Sequence, residues 1–238
     1  MRARCTLVYP YYEAPRMLAL QLEAWSAYPK ELLRCLEIVV VDDGSPTAPA
    51  TVVLGEARLP LKLYRIVEDI PWNQHGARNL GASEATHDWL FLSDIDIVLP
   101  ADAADALLQH QLEPSCYYTV ERRPVGGGPR RTHCNTLLVQ RAQFLRSGGY
   151  DEDFCGTYGG DGVFIQRLAR IARHQHFADV CTIGYGRMGG APPAFEGADS
   201  SLDRDSGRAE YRKRAHRKRL LNDLEPHRPL RFTWARVL

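Results

Sequence analysis

Short apolar runs alternate with amphipathic windows through the first half of the chain. Four runs rich in β-branched and other apolar residues are typical of strands, and they cover 5–9, 36–41, 61–67 and 89–92. Apolar residues recur at helical spacing over 18–27, and a second helix is predicted over 76–85. Because strands that alternate with helices favour βαβ units, the pattern predicts an α/β fold with a mostly parallel sheet and helices on both faces.

The second half of the chain has a less regular pattern. Glycine and proline dominate 124–129 and 184–197, so we expect a loop at the first place and a loop or linker at the second. Residues 137–139 form a short strand candidate, and residues 148–154 are predicted to be a loop. Apolar residues at helical spacing predict a further helix over 161–173.

The composition describes a globular protein and excludes several classes. The 238 residues carry a net charge of +1, which argues against a surface devoted entirely to nucleic acid. No apolar run approaches the roughly 18 residues of a membrane-spanning helix, and the first residues lack the apolar core of a signal peptide. Six cysteines are scattered without a CxxC pair, which argues against a disulfide framework or a zinc site. We therefore expect a cytoplasmic enzyme or binding module.

One segment breaks the even distribution of charge. Residues 204–219 carry eight Lys or Arg against two acids, within a predicted helix. Such a helix suits an anionic partner, which could be an acidic glycan, a membrane surface (with peripheral association) or nucleic acid. A solvated helix that packs Leu220 and Leu221 on the domain explains the same sequence.

Two carboxylates stand two residues apart directly after the strand candidate 89–92. Asp94 and Asp96 could both reach one divalent cation, and oxygen ligands of this kind suit Mg²⁺ or Mn²⁺. A solvated strand end with acidic turn residues would have the same sequence. The pair therefore indicates a metal site only in combination with other signals.

Three further signals could carry chemistry. Asp42 and Asp43 end a buried strand, where a carboxylate can accept hydrogen bonds from a base or ribose or from its own turn. Arg78 lies near a helix start, which is a place that suits a diphosphate. Asp161 follows two glycines at another helix start, where it either caps the helix or, facing a cleft, serves as a general base.

In this order, the signals resemble the nucleotide-sugar-dependent glycosyltransferases of the GT-A fold, specifically the family 2 group and its galactosyltransferase-like relatives. Residues 8–13 look like the opening strand and Pro-x-Tyr-Asn-Glu loop of the group, with Tyr12 in place of Asn. The other matching stretches follow at 40–45, 77–81, 91–96, 148–154 and 158–161, with Arg167 after them. The resemblance covers about residues 4–185.

The resemblance implies a domain plan and a role for each matching residue. It implies a Rossmann-like GT-A domain over 1–197, with a nucleotide-binding half at about 1–100, an acceptor-binding half at about 101–197 and a basic extension over 198–238. The nucleotide sugar would be held by residues of the first half: Pro10, Tyr11, Glu13, Asp42, Asp43, Arg78 and Asp94. Asp94 and Asp96 would bind the cation, and Asp161 would be the catalytic base.

Three departures from the family pattern affect the second half. Gly160 stands where the family often has Glu, and Gly162 leaves no second acid beside Asp161. The downstream His that completes the metal site in some relatives has no clear counterpart. His174 and His176 come early, and we expect them on a helix surface or helix end, not at a metal.

The expected activity is inverting transfer of a sugar, by default from a UDP-sugar, to a hydroxyl of a glycan or glycoconjugate, with Mn²⁺ or Mg²⁺. A nucleotidyltransferase is disfavoured, because its Gly-rich first loop is replaced here by Pro10 to Glu13. Two alternatives remain open: a glycosyltransferase acting on modified bases in DNA, and a non-catalytic module that binds nucleotide sugars.

Overall fold

The computed structural model describes residues 2–55, 59–155, 160–186 and 229–238. Its centre is a set of four parallel strands: β1 (Cys5–Tyr11), β2 (Leu36–Asp42), β3 (Leu61–Ile66) and β4 (Trp89–Leu92). Four helices connect them: α1 (Pro15–Ser26), α2 (Lys30–Leu33), α3 (Thr51–Leu54) and α4 (Gln74–Glu84). The four strands and the two long helices predicted for this half are confirmed.

The second half extends the sheet with strands of mixed direction. These are β5 (Ile97–Val98), β6 (Cys116–Pro124), β7 (Arg131–Gln140), β8 (Arg173–Gly184) and β9 (Trp234–Arg236). The helical elements between them are α5 (Ala101–Gln109), α6 (Arg141–Arg146), the 3-10 turn Glu152–Phe154 and α7 (Gly160–Leu168). Among the described residues the strand order is β5-β8-β6-β7-β4-β1-β2-β3-β9, with β7 antiparallel to both β4 and β6.

The central strands form the core because they are buried on both faces. Every residue of β1, β2 and β4 is buried, which explains their nearly continuous apolar runs. Leu7 faces the core that contains α1 and α5, whereas Val8 faces the core on the other side. A Cβ on Gly81 of α4 would lie 2.4 Å from Val8 Cγ1, so only glycine lets this helix pack so closely on β1.

The last ten residues return to the sheet. Strand β9 pairs antiparallel with β3, and Phe232 is buried in the core cluster that includes Val39 and Val41 of β2. The backbone N–H groups of Leu230 and Arg231 donate to the carboxylate of Glu152, at 2.8 and 3.2 Å. Residues 229–238 therefore pack as part of the domain, although the sequence placed them in an extension.

Other predicted segments lie outside the described residues. These are 158–159, most of the predicted linker (187–197) and the basic segment 204–219 with Leu220 and Leu221. In the part of the chain that the structure describes, no helix combines the length and the apolar character needed to cross a bilayer.

The predicted helix over 161–173 is too long, because α7 ends at Leu168 and β8 begins at Arg173. His174 and His176 consequently lie on a strand, not on a helix. Both contact the Thr119 hydroxyl, and His176 Nε2 lies 2.9 Å from the Glu121 carboxylate. The short strand predicted over 137–139 is the buried end of the longer β7.

Candidate active site

The candidate site lies where the central parallel strands end. Tyr11 at the end of β1 is paired with Asp42 at the end of β2, and Asp94 follows the end of β4 by two residues. Ligands of open α/β sheets bind at this edge. The polar residues that follow these strands therefore converge at one edge of the sheet.

Asp94 is held by side chains from two other elements. Its Oδ1 accepts short hydrogen bonds from Gln74 Nε2 and Arg78 Nη2, and its Oδ2 accepts one from Asn135 Nδ2 at 3.2 Å. Gln74 and Arg78 belong to α4, whereas Asn135 lies on β7, 41 residues along the chain. The contact of Asn135 has no signal in the sequence.

Arg78 connects the predicted metal site to the predicted base. Its side chain is 0% exposed, and its guanidinium pairs with Asp161 Oδ1 at 2.8 Å and with Asp94. The guanidinium also lies over the ring of Tyr150, 5.1 Å from its centroid. Because a buried cation needs paired anions, Arg78 fixes Asp94 and Asp161 within the span of one guanidinium. Arg78 therefore lies between the two acids and beside Asp94, a carboxylate of the predicted metal site.

Asp96 has a different environment from Asp94. In the described part of the chain no side chain donates a hydrogen bond to its carboxylate, which faces the backbone at Gly186, where a Cβ would lie 3.4 Å away. Burial, and next the charge of Asp94, raise the pKa of Asp96 to about 6. A buried carboxylate to which no described side chain donates is suited to a cation.

The donor set around this pair fits a divalent cation only in part. No group of three or more His, Cys, Asp or Glu side chains in the described ranges is arranged to hold a metal ion. Asp94 and Asp96 would therefore need further oxygen ligands, and Mg²⁺ characteristically takes these from water and substrate phosphates.

Asp42 holds the loop that follows β2. Its Oδ1 accepts from Ser45 N–H at 2.9 Å, and its Oδ2 accepts from Ala50 N–H at 2.9 Å and from Arg65 Nη1 at 3.2 Å. Both oxygens of this carboxylate, which is 1% exposed, are thus engaged by local donors. Of the two predicted acids, the geometry therefore favours Asp43 over Asp42 as a contact for the base.

Asp43 lies beside Asp42 but has fewer partners. Asn73 Nδ2 donates to its Oδ1 at 2.9 Å, and its backbone N–H donates to Tyr11 O at 2.9 Å. Burial, assisted by the neighbouring charge of Asp42, raises the pKa of Asp43 to about 8. The carboxyl is therefore protonated at neutral pH, and so it can both donate and accept a hydrogen bond.

Residues of the predicted opening loop contact the loop that follows β2. Glu13, at φ 48°, accepts from the Thr47 hydroxyl and from the N–H groups of Thr47 and Ala48, at 2.9 and 3.0 Å. The Tyr11 hydroxyl donates to Ala48 O at 2.5 Å. Pro10 is buried within β1. Glu13 and Tyr11 therefore hold the loop over 43–50, and the half-buried Tyr12 lies between them in the chain.

Asp161 lies in the first turn of α7 with its side chain 16% exposed, facing Arg78. Gly160 before it has no room for the Glu of the family pattern, because a Cβ there would lie 2.5 Å from His75 Cε1. Of the nearby acids, Asp151 is fully buried and pairs with Arg167 at 3.3 Å, and Asp153 pairs with Arg231 at 2.7 Å. The structure therefore places Asp161 beside Arg78 and Asp94, whereas the other two acids pair with other arginines.

Asp43→Asn is expected to stabilise the protein increasingly as pH rises from about 5 to about 8. The unfolded carboxyl has a pKa of about 3.9, so across this range the folded state keeps a proton that the unfolded state loses. The corresponding stability is present below about pH 4 and is lost as pH rises through about 8. Asn removes this dependence and keeps an oxygen for Asn73.

The measurement is the melting temperature of both proteins between pH 5 and pH 9. Asp88→Asn, at an exposed position before the start of β4, is the control for the change in net charge. A difference between Asp43→Asn and the unsubstituted protein that is constant across this range would contradict a buried neutral carboxyl.

Comparison with protein families gives one match over most of the chain. The family model described as Glycosyl transferase family 2 matches residues 12–171. A curated relative, the undecaprenyl-phosphate 4-deoxy-4-formamido-L-arabinose transferase of Photorhabdus laumondii, is 27% identical over 107 residues. That match covers 44% of this chain and 33% of the relative, so the chain spans about a third of that protein.

Solved structures resemble the chain over more of its length. The mannosyltransferase PcManGT of Pyrobaculum calidifontis, in complex with GDP-Man and Mn²⁺, has a TM-score of 0.64 at 20% identity, covering 91% of this chain and 65% of its own. TarS 1–349 of S. aureus, in complex with UDP-GlcNAc, has a TM-score of 0.58 at 18% identity. The match covers 76% of this chain and 58% of the TarS chain. At such identities these likenesses show the fold alone, and it is the predicted GT-A fold.

Proposed function

Since the chain belongs to glycosyl transferase family 2, we propose that it transfers a sugar from a nucleoside diphosphate donor to an acceptor hydroxyl, with a divalent cation and with inversion at the anomeric carbon. The observation that carries this proposal is the pair of ion pairs made by Arg78. Through them, Asp94 of the proposed metal-binding pair and Asp161, the proposed base, contact the two terminal nitrogens of one buried guanidinium.

Asp96, with Asp94 beside it, would hold the cation. A cation bound there supplies charge that stabilises a leaving diphosphate. PcManGT, which has the same fold, is described in complex with GDP-Man and Mn²⁺, and this supports a divalent metal for the present protein. Arg78 keeps Asp94 oriented, so the geometry of the pair depends on α4.

Asp161 would accept the proton of the attacking hydroxyl. Its carboxylate is partly exposed, and the adjacent Arg78 guanidinium orients it through the ion pair at 2.8 Å. A hydroxyl that approaches the start of α7 would lie next to this carboxylate. Attack from this side displaces the diphosphate in one step, which inverts the anomeric centre.

The nucleotide would lie over the ends of β1 and β2. We propose that Asp43 contacts the base, because its carboxyl keeps capacity to donate and accept, whereas both oxygens of Asp42 are engaged in the loop. Tyr12 lies at the same edge and offers a half-buried aromatic ring. TarS and PcManGT are described with UDP-GlcNAc and GDP-Man, so UDP and GDP are the nucleotides to test.

Asp43→Ala is expected to weaken nucleotide binding by about 1–3 kcal/mol, because a hydrogen-bonding partner of the base is lost. Asp42→Asn keeps a polar side chain but replaces one acceptor of a loop N–H by a donor. Its main effect is therefore expected on the melting temperature. Calorimetric titration with UDP and GDP checks both variants. A larger loss of affinity in Asp42→Asn, at unchanged stability, would reverse the assignment.

A thermal-shift screen of nucleotide sugars, with and without Mn²⁺, tests the proposed function. A ligand that binds only the folded protein stabilises it by mass action, by about 2.7 kcal/mol at 100 times its dissociation constant. We expect one group of donors to raise the melting temperature strongly, and only with Mn²⁺. Equal shifts with and without the cation would contradict the role given to Asp94 and Asp96.

A further inference from the structure

A basic two-stranded segment, here called the arm, lies beside the candidate active site. The arm comprises residues 121–132, from the end of β6 through the turn to the start of β7. It carries four arginines that are half-buried or exposed: Arg122, Arg123, Arg130 and Arg131. Its one acid, Glu121, contacts His176, and none of the four arginines forms an ion pair within the described ranges. Within those ranges the arm is therefore a positive surface, and Arg122 lies close enough to Asp96 for its charge to act on that carboxyl.

Two of these arginines lie directly opposite each other. Arg122 of β6 and Arg131 of β7 are antiparallel register partners. Such partners project from the same face with Cβ atoms about 5 Å apart, and like charges in this arrangement destabilise the sheet. An anion between the two guanidinium groups would offset the repulsion. Guanidinium groups match the oxygens of a phosphate in particular, because they can donate two parallel hydrogen bonds.

The face that carries this pair is directed toward the candidate active site. A Cβ on Gly184 would lie 3.2 Å from Arg122 Cδ, and Gly184 is paired with Ile97, the residue after Asp96. Further along β7, Asn135 donates to Asp94. The register between β6 and β7 shifts between these two points, and such irregularities commonly re-aim side chains next to active sites.

The arm lies on the acceptor side of the site. In the sheet, β4 with Asp94 separates β1 and β2, where Asp43 lies, from β7 and β6. A nucleotide over β1 and β2, with its diphosphate at Asp94 and Asp96, would therefore leave the arm to the other substrate. This step rests on the proposed function, because it takes the position of the nucleotide from it.

We propose that Arg122 and Arg131 bind a phosphate group carried by the acceptor. The pair would hold the acceptor through this group, while the reacting hydroxyl extends to Asp161. A glycan without a phosphate would lack this anchor. The two arginines are thus specificity-determining residues for phosphate-bearing acceptors.

The test compares two double variants that lose the same charge. Arg122→Gln/Arg131→Gln removes the opposed pair, and Arg123→Gln/Arg130→Gln is the matched control on the same arm. Calorimetric titration with glycerol 3-phosphate, without donor or Mn²⁺, should show binding that weakens by about tenfold or more in the first variant and less than about threefold in the control. Equal losses in both, or no loss in the first, would overturn the proposal.

A stability measurement distinguishes binding from a structural role. In phosphate-free buffer, Arg131→Gln should melt at the same or a higher temperature than the unsubstituted protein, because a like-charge repulsion is removed. Weaker binding of glycerol 3-phosphate together with a clear fall in melting temperature would show that the pair supports the fold, and this would overturn the proposal.

Sedimentation with vesicles identifies the source of the phosphate. Retention on phosphatidylglycerol vesicles but not on phosphatidylcholine, lost in Arg122→Gln/Arg131→Gln, would support a lipid phosphate. Binding of glycerol 3-phosphate without retention would support a soluble phosphate ester. Binding of duplex DNA that both double variants reduce equally, without binding of glycerol 3-phosphate, would overturn the proposal. Because these titrations contain no donor, a failure of sugar transfer would refute the proposed function separately.

Discussion

Replacing Asp161 by Asn is expected to lower the rate of sugar transfer by about 10²–10⁴-fold, because Asn keeps the shape of the side chain but cannot accept a proton. The structure adds a second effect. Asp161 pairs with the buried Arg78 at 2.8 Å, so the substitution also weakens an ion pair and is expected to cost about 1–3 kcal/mol of stability. Single-turnover kinetics at a saturating donor concentration, below the melting transition, measure the first effect alone.

Asp151→Asn is the matched control for the loss of stability. It also weakens a buried pair between aspartate and arginine, at 3.3 Å. Asp151 is fully buried, however, whereas Asp161 is partly exposed beside Arg78. We expect this control to melt earlier and to retain its turnover. Turnover near the unsubstituted level in Asp161→Asn would rule out Asp161 as the base.

Asp96→Asn is expected to abolish the strengthening of donor binding by Mn²⁺. An amide carries no charge and is a weaker ligand for a hard cation than a carboxylate. The fold should remain intact, because no side chain in the described part of the chain depends on Asp96 for a hydrogen bond. Calorimetric titration of UDP and GDP, with and without Mn²⁺, makes the measurement, and an unchanged effect of Mn²⁺ would remove Asp96 from the metal site.

Asp94→Asn provides the comparison within the pair. Asp94 receives hydrogen bonds from Gln74, Arg78 and Asn135, so its substitution should lower both the melting temperature and the effect of Mn²⁺. We expect Asp96→Asn to lose only the effect of Mn²⁺, and Asp94→Asn to lose both that effect and stability. This difference would identify Asp96 as a direct metal ligand and Asp94 as a carboxylate that other side chains hold in position.

The parallel half of the fold could be predicted because its strands are buried on both faces. Each of β1, β2 and β4 reads as an apolar run that ends in polar residues, and the sheet edge follows from that pattern. Strand β8 shows the limit of this reasoning. Its exposed and buried positions do not alternate regularly, and Ile171 before it continues the apolar spacing of α7, so the helix was predicted too long.

The candidate site could be predicted in its members but not in their contacts. The resemblance assigned Asp94 to the cation and Asp161 to the base, and the structure brings both to Arg78. That Arg78 bridges them depends on how α7 packs, which no local pattern encodes. Which of Asp42 and Asp43 can contact a base depends likewise on which of them the following loop engages. The sequence shows only that both are acids at the end of one strand.

Release of nucleoside diphosphate from nucleotide sugars tests the central claim most directly. The protein would be incubated with a set of nucleotide sugars that includes GDP-mannose and UDP-GlcNAc, with and without Mn²⁺, in parallel with Asp161→Asn and Asp96→Asn. We predict release from at least one donor that requires Mn²⁺ and is lost in both variants. Tight nucleotide binding without release from any donor, or release that both variants retain, would contradict the account.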